Sequence, residues 1–408
     1  MKHFLVGFLL SLIGVKSLAQ SSFLQDLMKQ SGKFEIILEN PSKYKVQIIY
    51  TQINRNKGNI PTFNSFYYQL DSSNYFYPAS TIKLPTVLMA LEKVNKIGKF
   101  DKNVALKIDP IPNISDGVEI DSTSKNKTPS IAHYSKKIFL VSDNDAFNRL
   151  YEFVGQENLN NELKKKGYNN IRISHRLGVS LKEYENALGN SFSFYNKRGK
   201  ELYFKEKDSS KVKYSSEFPI KMGKGFYKNE TLINEPFDFT SKNCFGLMDQ
   251  QSILKSIIFP KSIVEKNRFD LKYSDYRFLY KYMSEKPSES QYPKFDSSEY
   301  CDSYVKFFMF GNSENKIPPN IRIFNKVGEA YGFLIDNAYI VDFKQKVEFM
   351  LSAVIYCNED EVFNDDKYEY EEIGMPFFEN LGNLIYNYEL SRKKSFYPNL
   401  RKFKIKYN

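Results

Sequence analysis

Strand-forming runs lie near both ends of this chain, and this arrangement constrains the fold more than any other feature. Residues 45–53 and 63–70 are rich in β-branched and aromatic residues and flank a polar turn, which predicts a hairpin. Residues 321–328, 331–343 and 347–357 predict three further strands, and helical periodicity dominates between the two sets. We therefore expect an α+β fold in which both chain ends build one antiparallel sheet flanked by helices, with an inserted helical lobe.

The length of 408 residues fits one large domain or two ordinary ones. We expect a single domain over residues 20–408, with an α/β lobe at about 33–95 and 318–400 and a helical lobe with an insertion at about 96–317. The formal net charge is +11, and the lysines are spread along the whole chain. That dispersion favours a generally basic surface and argues against a nucleic-acid partner.

The first nineteen residues have the pattern of an export signal. Lys2 and His3 precede an apolar run at residues 4–15, and residues 17–19 offer a small-residue cleavage site before Gln20. The run is short for a bilayer span, and an uncleaved anchor is the alternative. We expect a monomeric protein that is exported to the periplasm or secreted, with no stable membrane insertion after signal cleavage.

Cysteine and histidine are scarce. Cys244, Cys301 and Cys357 could form one disulfide in an oxidising compartment, but not a disulfide framework. The three histidines lie far apart, and no Cys/His cluster has metal-ligand spacing. We expect neither a metal nor another cofactor.

A polar turn at residues 77–81 leads directly into an apolar helical pattern, and it contains a serine. Ser80 and Lys83 are three positions apart, so a helix would place both side chains on one face. A lysine whose pKa is lowered by burial can accept the serine proton, and the N–H groups at a helix start suit an oxyanion. Ser80 thus has a candidate base and a candidate oxyanion site.

The spacing alone is weak evidence, because it recurs at Ser42/Lys45, Ser122/Lys125, Ser210/Lys213, Ser252/Lys255 and Ser303/Lys306. Ser80 differs in following a turn and opening a long apolar helix. The alternative is an ordinary helix start with a solvated lysine.

Two more polar motifs follow in the chain. Ser142-Asp143-Asn144 joins helices predicted at residues 131–141 and 145–154, where serine and aspartate are also ordinary N-cap residues. Lys326-Val327-Gly328 ends a predicted strand that precedes two more strands.

The three motifs, in this order, resemble S-x-x-K, S-D-N and K-T-G of the penicillin-recognising serine hydrolases, and most of all the class A β-lactamases. The resemblance covers most of the mature chain in element order. It implies that Ser80 is the acylated nucleophile and Lys83 its proton partner. It also implies that Ser142 passes a proton to the leaving nitrogen, while Asn144 binds the substrate amide and holds Lys83.

The same resemblance assigns substrate binding to the third motif. Lys326 would supply positive charge facing the substrate carboxylate, and Gly328 would belong to the strand along which the substrate lies. The backbone N–H groups of Ser80 and Glu329 would form the oxyanion hole. Val327 stands where the family has a hydroxyl residue, so one hydrogen bond to a substrate carboxylate would be missing.

A second departure concerns hydrolysis of the acyl-enzyme. Class A enzymes carry a glutamate soon after an Arg-Leu pair, which Arg176-Leu177 matches, but the residue at the corresponding offset is Leu181. Glu183 and Glu185 lie just beyond it, and either would serve as the base if the loop is longer; the alternative is that both are surface glutamates. The segment between the second and third motifs is also longer than in compact class A enzymes, and the role of residues 190–245 is open.

These observations favour an exported serine hydrolase that opens the β-lactam amide through an acyl-enzyme at Ser80, an activity associated with antibiotic resistance. One alternative is a D-alanyl-D-alanine peptidase or penicillin-binding enzyme of the same fold, acting on cell-wall peptides. Another is a non-catalytic relative whose basic surface binds anionic envelope polymers. The expected partner is therefore a small-molecule β-lactam or a cell-wall peptide.

Overall fold

Five strands contributed by both ends of the chain form the central sheet of the computed structural model, which describes residues 22–311 and 316–407. All the strands of the described residues, in chain order, are β1 (Gln47–Arg55), β2 (Pro61–Tyr68), β3 (Ala105–Ile108), β4 (Ile171–Arg172), β5 (Leu188–Gly189), β6 (Phe192–Tyr195), β7 (Glu201–Lys205), β8 (Asp208–Ser209), β9 (Lys221–Met222), β10 (Gly225–Lys228), β11 (Thr231–Ile233), β12 (Phe237–Asp238), β13 (Cys244–Phe245), β14 (Ile321–Ala330), β15 (Phe333–Asp342), β16 (Val347–Tyr356) and β17 (Val362–Phe363). The central sheet has the order β14-β15-β16-β1-β2, and all its pairs are antiparallel.

The helices are α1 (residues 22–31), α2 (Glu35–Glu39), α3 (Pro41–Tyr44), α4 (Lys83–Ile97), α5 (Ile131–Val141), α6 (Asn144–Val154), α7 (Gln156–Lys165), α8 (Glu183–Asn186), α9 (Leu247–Ile258), α10 (Tyr273–Ser284) and α11 (Met375–Ser391). Short 3-10 turns cover Ala79–Ile82, Pro260–Ser262, Glu265–Asn267, Pro287–Glu289 and Arg401–Phe403, and a π-helical turn covers Tyr370–Gly374. Among the described residues, no helix is long and apolar enough to cross a membrane.

The central strands are buried on both faces, which explains their nearly continuous apolar sequence. Phe324 and Tyr339 pack on one face against the core formed with helices α4 to α6, α9 and α10. Ile340 and Phe349 pack on the other face, in the core that contains α11. Strand β14 lies at the edge of the sheet, and the alternation of side chains along it fixes which residues face each core.

The predicted fold class is confirmed: the hairpin at one chain end and the three strands at the other build one antiparallel sheet flanked by helices. Two details differ from the expectation. Strand β14 continues past Gly328 to Ala330, so the turn is confined to Tyr331 and Gly332, both with positive φ. Within the predicted helical lobe, residues 188–245 form short strands that pair with one another and with β3, β4 and β17.

The predicted export signal lies outside the described residues, and the lobe boundaries stay predictions. Helix α10 was not anticipated. Its aromatic side chains Tyr276 and Tyr280 pack against the larger core, and this contact is not visible in a local pattern.

Candidate active site

Ser80 lies in the 3-10 turn that leads into α4. The backbone N–H and the hydroxyl of Thr81 both donate to the carbonyl of Pro78, at 3.1 and 2.7 Å, and so fix the turn. Ala79, directly before Ser80, has φ of 46°, a left-handed conformation that is unfavourable for a residue with a side chain. The turn thus fixes the position of Ser80 through a locally strained backbone.

Strand β14 passes this turn at close range. A Cβ atom built on Gly328 would lie 2.7 Å from the carbonyl oxygen of Pro78 and 3.2 Å from the Cβ of Ala79. Any side chain at position 328 would therefore push the strand away from the serine turn. The glycine of the third motif is a steric requirement of this contact.

Lys83 is completely buried beneath the turn. Its ammonium group donates to the carbonyl oxygen of Ser142, to the Oγ of Ser142 at 3.3 Å and to the Oδ1 of Asn144 at 2.6 Å. Burial lowers the pKa of Lys83 to about 7, and the nearby carboxylate of Asp143 opposes this shift. A substantial fraction of the amine is therefore neutral near pH 7 and able to accept a proton.

Ser142 terminates α5 in a left-handed conformation, with φ of 58°, and Asp143 then caps α6 by accepting from the N–H of Ala146 at 2.7 Å. The Oγ of Ser142 also accepts a hydrogen bond from Lys326 at 2.8 Å. With both lysine groups donating to this oxygen, the serine proton is directed to a third partner. The Ser142 hydroxyl is thus free to donate to an acceptor in the adjacent cavity.

Lys326 is buried in β14 and also donates to the carbonyl of Val327 at 2.8 Å. Burial lowers its pKa well below the ordinary lysine value, and the charges of Lys83 and Lys306 act in the same direction. The two lysines that flank Ser142 therefore disfavour each other's charge, and their titrations are linked.

Ser80, Ser142 and Asn144 meet at one cavity of about 560 Å³, and Gly328 and Glu329 line the same cavity. Lys83 and Lys326 lie behind its wall. Because β14 is an edge strand, its outer backbone groups are available for pairing with an extended chain.

The structure does not bring Glu183 and Glu185 to this wall. Glu183 lines a different cavity, and its carboxylate lies 3.5 Å from Lys213. The Glu185 carboxylate accepts from the backbone N–H of Lys182 at 2.6 Å and from the hydroxyl of Tyr184 at 3.0 Å. The backbone hydrogen bond is the main reason that the pKa of Glu185 is lowered.

Arg176 explains the course of the loop that carries these glutamates. Its guanidinium donates to Glu152 at 2.9 Å and to the carbonyl oxygens of Glu185 and Leu188 at 3.0 and 2.7 Å. The loop approaches the site at Gly178, where an added Cβ would lie 3.0 Å from the Nδ2 of Asn144. The chain beyond Gly178 turns away, and Leu181 lines the same separate cavity as Glu183.

A buried polar network behind β14 was not predicted from the sequence. Lys306 donates to the Oδ1 of Asn325 at 2.6 Å, and Asn325 donates to Asp336 and to the carbonyl of Val305, both at 2.8 Å. Asp336 also accepts from the backbone N–H of Phe307 at 3.1 Å. The network fastens residues 305–308 to the strand that carries Lys326.

Several residues of the cavity wall were also not identified from the sequence: Val141, Asp145, Tyr300, Tyr304, Val305, Phe307, Glu371 and Met375. For the buried network, the signal in the sequence was Asp336, because a carboxylate inside the apolar run of β15 needs a buried partner. No comparable signal marks Glu371, because its turn joins the site only through the tertiary fold.

A family model described as the β-lactamase enzyme family matches residues 34–211. The chain is also similar to the solved structure of a β-lactamase from Desulfarculus baarsii DSM 2075, at 11% identity and a TM-score of 0.48 over 90% of this chain and 99% of that one. A β-lactamase from Burkholderia phymatum matches at 10% identity and a TM-score of 0.47 over 91% and 98% of the two chains. A search of curated proteins finds no match.

The family match includes the first two motifs, and the fold brings both to one cavity with the third. Ser80, Lys83 and Ser142 lie inside the matched segment, and Lys326 joins them through its hydrogen bond to Ser142. Residues 34–211 of this chain thus match the β-lactamase enzyme family, and its three motifs resemble those of the β-lactamase-like serine enzymes.

Proposed function

We propose that this protein is an exported serine hydrolase that forms an acyl-enzyme at Ser80 and hydrolyses the amide of a β-lactam ring. The observation that carries the proposal is the position of the Ser142 hydroxyl, which accepts hydrogen bonds from Lys83 and Lys326 at the wall of the cavity that contains Ser80. Nucleophile, proton acceptor and proton donor thus stand together.

In the proposed reaction, the neutral amine of Lys83 takes the Ser80 proton as the Oγ attacks the amide carbonyl. Backbone N–H groups at positions 80 and 329 stabilise the oxyanion. Collapse of the tetrahedral intermediate breaks the C–N bond, and Ser142 protonates the leaving nitrogen while the adjacent lysines replace its proton. Water then hydrolyses the ester and regenerates Ser80.

A penicillin-binding peptidase is the second candidate, and the position of the loop glutamates favours it. Glu183 and Glu185 lie outside the Ser80 cavity, so neither is placed to activate the deacylating water. On this reading the acyl-enzyme forms and then persists.

Intact-protein mass spectrometry with a penicillin, sampled from seconds to hours, separates the candidates. A mass increase that appears and then disappears as hydrolysed drug accumulates supports the hydrolase, whereas a persistent adduct supports the peptidase. The Ser80→Ala variant must show neither. If the wild-type protein forms no adduct and no hydrolysed drug, acyl transfer at Ser80 is wrong and a non-catalytic binding role replaces it.

Export is the remaining part of the proposal, supported by the sequence of residues 1–19 alone. Mass spectrometry of protein recovered outside the cytoplasm should show a mature chain that begins at or near Gln20. Recovery of the full-length chain from the cytoplasm would contradict it.

A further inference from the structure

A second cavity lies beside the inserted segment at residues 190–245. Its volume is about 560 Å³, within the range of small-molecule sites, and it shares no lining residue with the Ser80 cavity. One part of its wall comes from the loop at residues 174–187, and another from residues 210–214 and 241–242. The inserted segment therefore closes a cavity that the loop alone would leave open.

Lysine side chains give this cavity a net positive charge. Lys211, Lys213 and Lys242 line it, whereas Glu183 is the one carboxylate among the described lining residues. The Glu183 carboxylate lies 3.5 Å from Lys213, and Glu157, outside the lining, accepts from the backbone N–H of Lys211 at 3.3 Å. Within the described part of the chain, the side chains of Lys211 and Lys242 form no ion pair. Two ammonium groups are thus left to a ligand.

Lys242 is the least solvated of the three. Its side chain is half-buried, and burial lowers its pKa. The ammonium group lies 5.5 Å from the ring centroid of Phe237 and 5.9 Å from that of Tyr331, and such contacts offset only part of the lost solvation. An anion in the cavity would stabilise this charge.

Two uncharged polar groups in the same wall are buried without partners. Gln156 is 5% exposed, and its Nε2 donates to the carbonyl of Ser174 at 2.7 Å, but its Oε1 has no hydrogen-bond partner among the described residues. The buried hydroxyl of Tyr214 likewise has none there. Because the Gln156 oxygen can only accept, a ligand facing it must donate, as a hydroxyl group does.

The residue types in the wall also indicate which anion fits. Among the described lining residues none is an arginine, whose planar fork matches a carboxylate, whereas several lysine point charges suit a phosphate group. Tyr184 and Tyr331 add aromatic surface on which the C–H face of a sugar ring can pack.

We propose that this cavity binds a phosphorylated sugar, with the phosphate group at Lys211 and Lys242 and the sugar hydroxyls at Gln156 and Tyr214. The site is separate from the acyl transfer proposed at Ser80 and gives the inserted segment a binding role.

Isothermal titration calorimetry at low salt tests the proposal, with glucose 6-phosphate and N-acetylglucosamine 1-phosphate as probes. Glucose, inorganic phosphate and glucuronate should each bind at least about tenfold more weakly, because each lacks the phosphate or the sugar ring. Equal binding of inorganic phosphate or of glucuronate would overturn the assignment of a sugar phosphate. Absence of binding by both probes at millimolar concentration would overturn the site.

The sharpest variant is Tyr214→Phe, which removes a hydroxyl that has no protein partner. Its melting temperature should equal that of the wild type, while the Kd for the tighter probe rises about three- to tenfold. An unchanged Kd would contradict the proposed contact.

Lys211→Gln/Lys242→Gln should raise the Kd by at least about tenfold, and Lys211→Gln alone should act in the same direction. The matched control is Lys207→Gln/Lys228→Gln, which removes two exposed lysines of the same segment that do not line the cavity. Equal losses in both double variants would show non-specific attraction to a basic surface and overturn the site.

The wild-type protein treated with benzylpenicillin separates this proposal from acyl transfer. The Kd for the sugar phosphate should be the same with and without the drug. If no covalent adduct forms, acyl transfer is wrong and the sugar site still depends on its own titrations. Loss of sugar-phosphate binding in the adduct, together with an unchanged Kd in Tyr214→Phe, would place the ligand in the Ser80 cavity and overturn the second site.

Discussion

The ammonium group of Lys83 contacts three oxygen atoms, yet burial lowers its pKa to about 7. Its hydrogen bonds are to uncharged groups, and these do not offset the loss of solvation. The S-x-x-K spacing predicted a lysine near Ser80 but could not show this shift, because the shift depends on the atoms of Ser142 and Asn144 that the fold supplies.

Acylation should therefore follow the neutral form of Lys83. Its rate should rise with pH through about 7 and level off above, whereas an ordinary lysine would place the rise near pH 10.4. The rate of acylation measured from mildly acidic to mildly alkaline pH tests this. Lys83→Met should lose about 10²–10⁴-fold in rate together with the pH dependence. An unchanged profile in this variant would assign the rise to Lys326 or another group.

The role of Gly328 depends on how closely β14 approaches the Ser80 turn. Gly328→Ala should lower acylation by about 10²-fold, because the added methyl group displaces β14 from the Ser80 turn. Gly58→Ala is a matched control, since its nearest neighbouring atom would lie 3.4 Å away in ordinary contact. Acylation rates and melting temperatures of both variants check the prediction. Equal activity of both would show that the strand adapts.

Strand β14 is supported from behind by the segment at residues 305–308 rather than by the sheet alone. Asp336 joins the two by accepting from Asn325 and from the N–H groups of Phe307 and Phe308. Lys306 provides the compensating charge through Asn325. Burial raises the pKa of Asp336 to about 6 and lowers that of Lys306 to about 7.

Asp336→Asn should be strongly destabilising. The substitution removes the countercharge of buried Lys306. The amide group that replaces the carboxylate cannot accept hydrogen bonds from both the backbone N–H of Phe307 and the side chain of Asn325. We expect a loss of roughly 3–5 kcal/mol in the free energy of unfolding, measured with urea. Glu361→Gln, which breaks the exposed pair with Lys224, should change the same quantity by less than about 1 kcal/mol. Similar losses in both variants would contradict the role of the network.

The long elements were predictable because their signals are local. The bounds of α9 and α11 and the strands at both chain ends follow from periodicity and turn residues. The strands at residues 188–245 were not, since several contain only two residues and exist through pairing with distant segments. The π-helical turn that carries Glu371 likewise depends on its tertiary surroundings.

At the scale of the whole molecule, the Ser80 cavity collects residues from five separate parts of the chain. The motif residues were predictable from their order, but the tyrosines at 300 and 304 and the carboxylate at 371 become neighbours of Ser80 only in the folded protein. The predicted role of Glu183 or Glu185 in deacylation depends on the loop path in the same way.

Glu183→Gln and Glu185→Gln should each leave the deacylation rate within about twofold of the wild type, because neither carboxylate faces the cavity. The decay of the acyl-enzyme, followed by mass spectrometry, measures this rate. A slowing of about 10²-fold or more in either variant would identify that residue as the deacylation base and require the loop to rearrange in the acyl-enzyme.

The pairing of β1 with β16 joins segments roughly 300 residues apart, so nearly the whole chain must be synthesised before the central sheet can close. Until then the hairpin of β1 and β2 presents an unpaired, β-branched edge. A chain interrupted before β16 would keep that edge exposed, and association with other nascent chains would compete with folding.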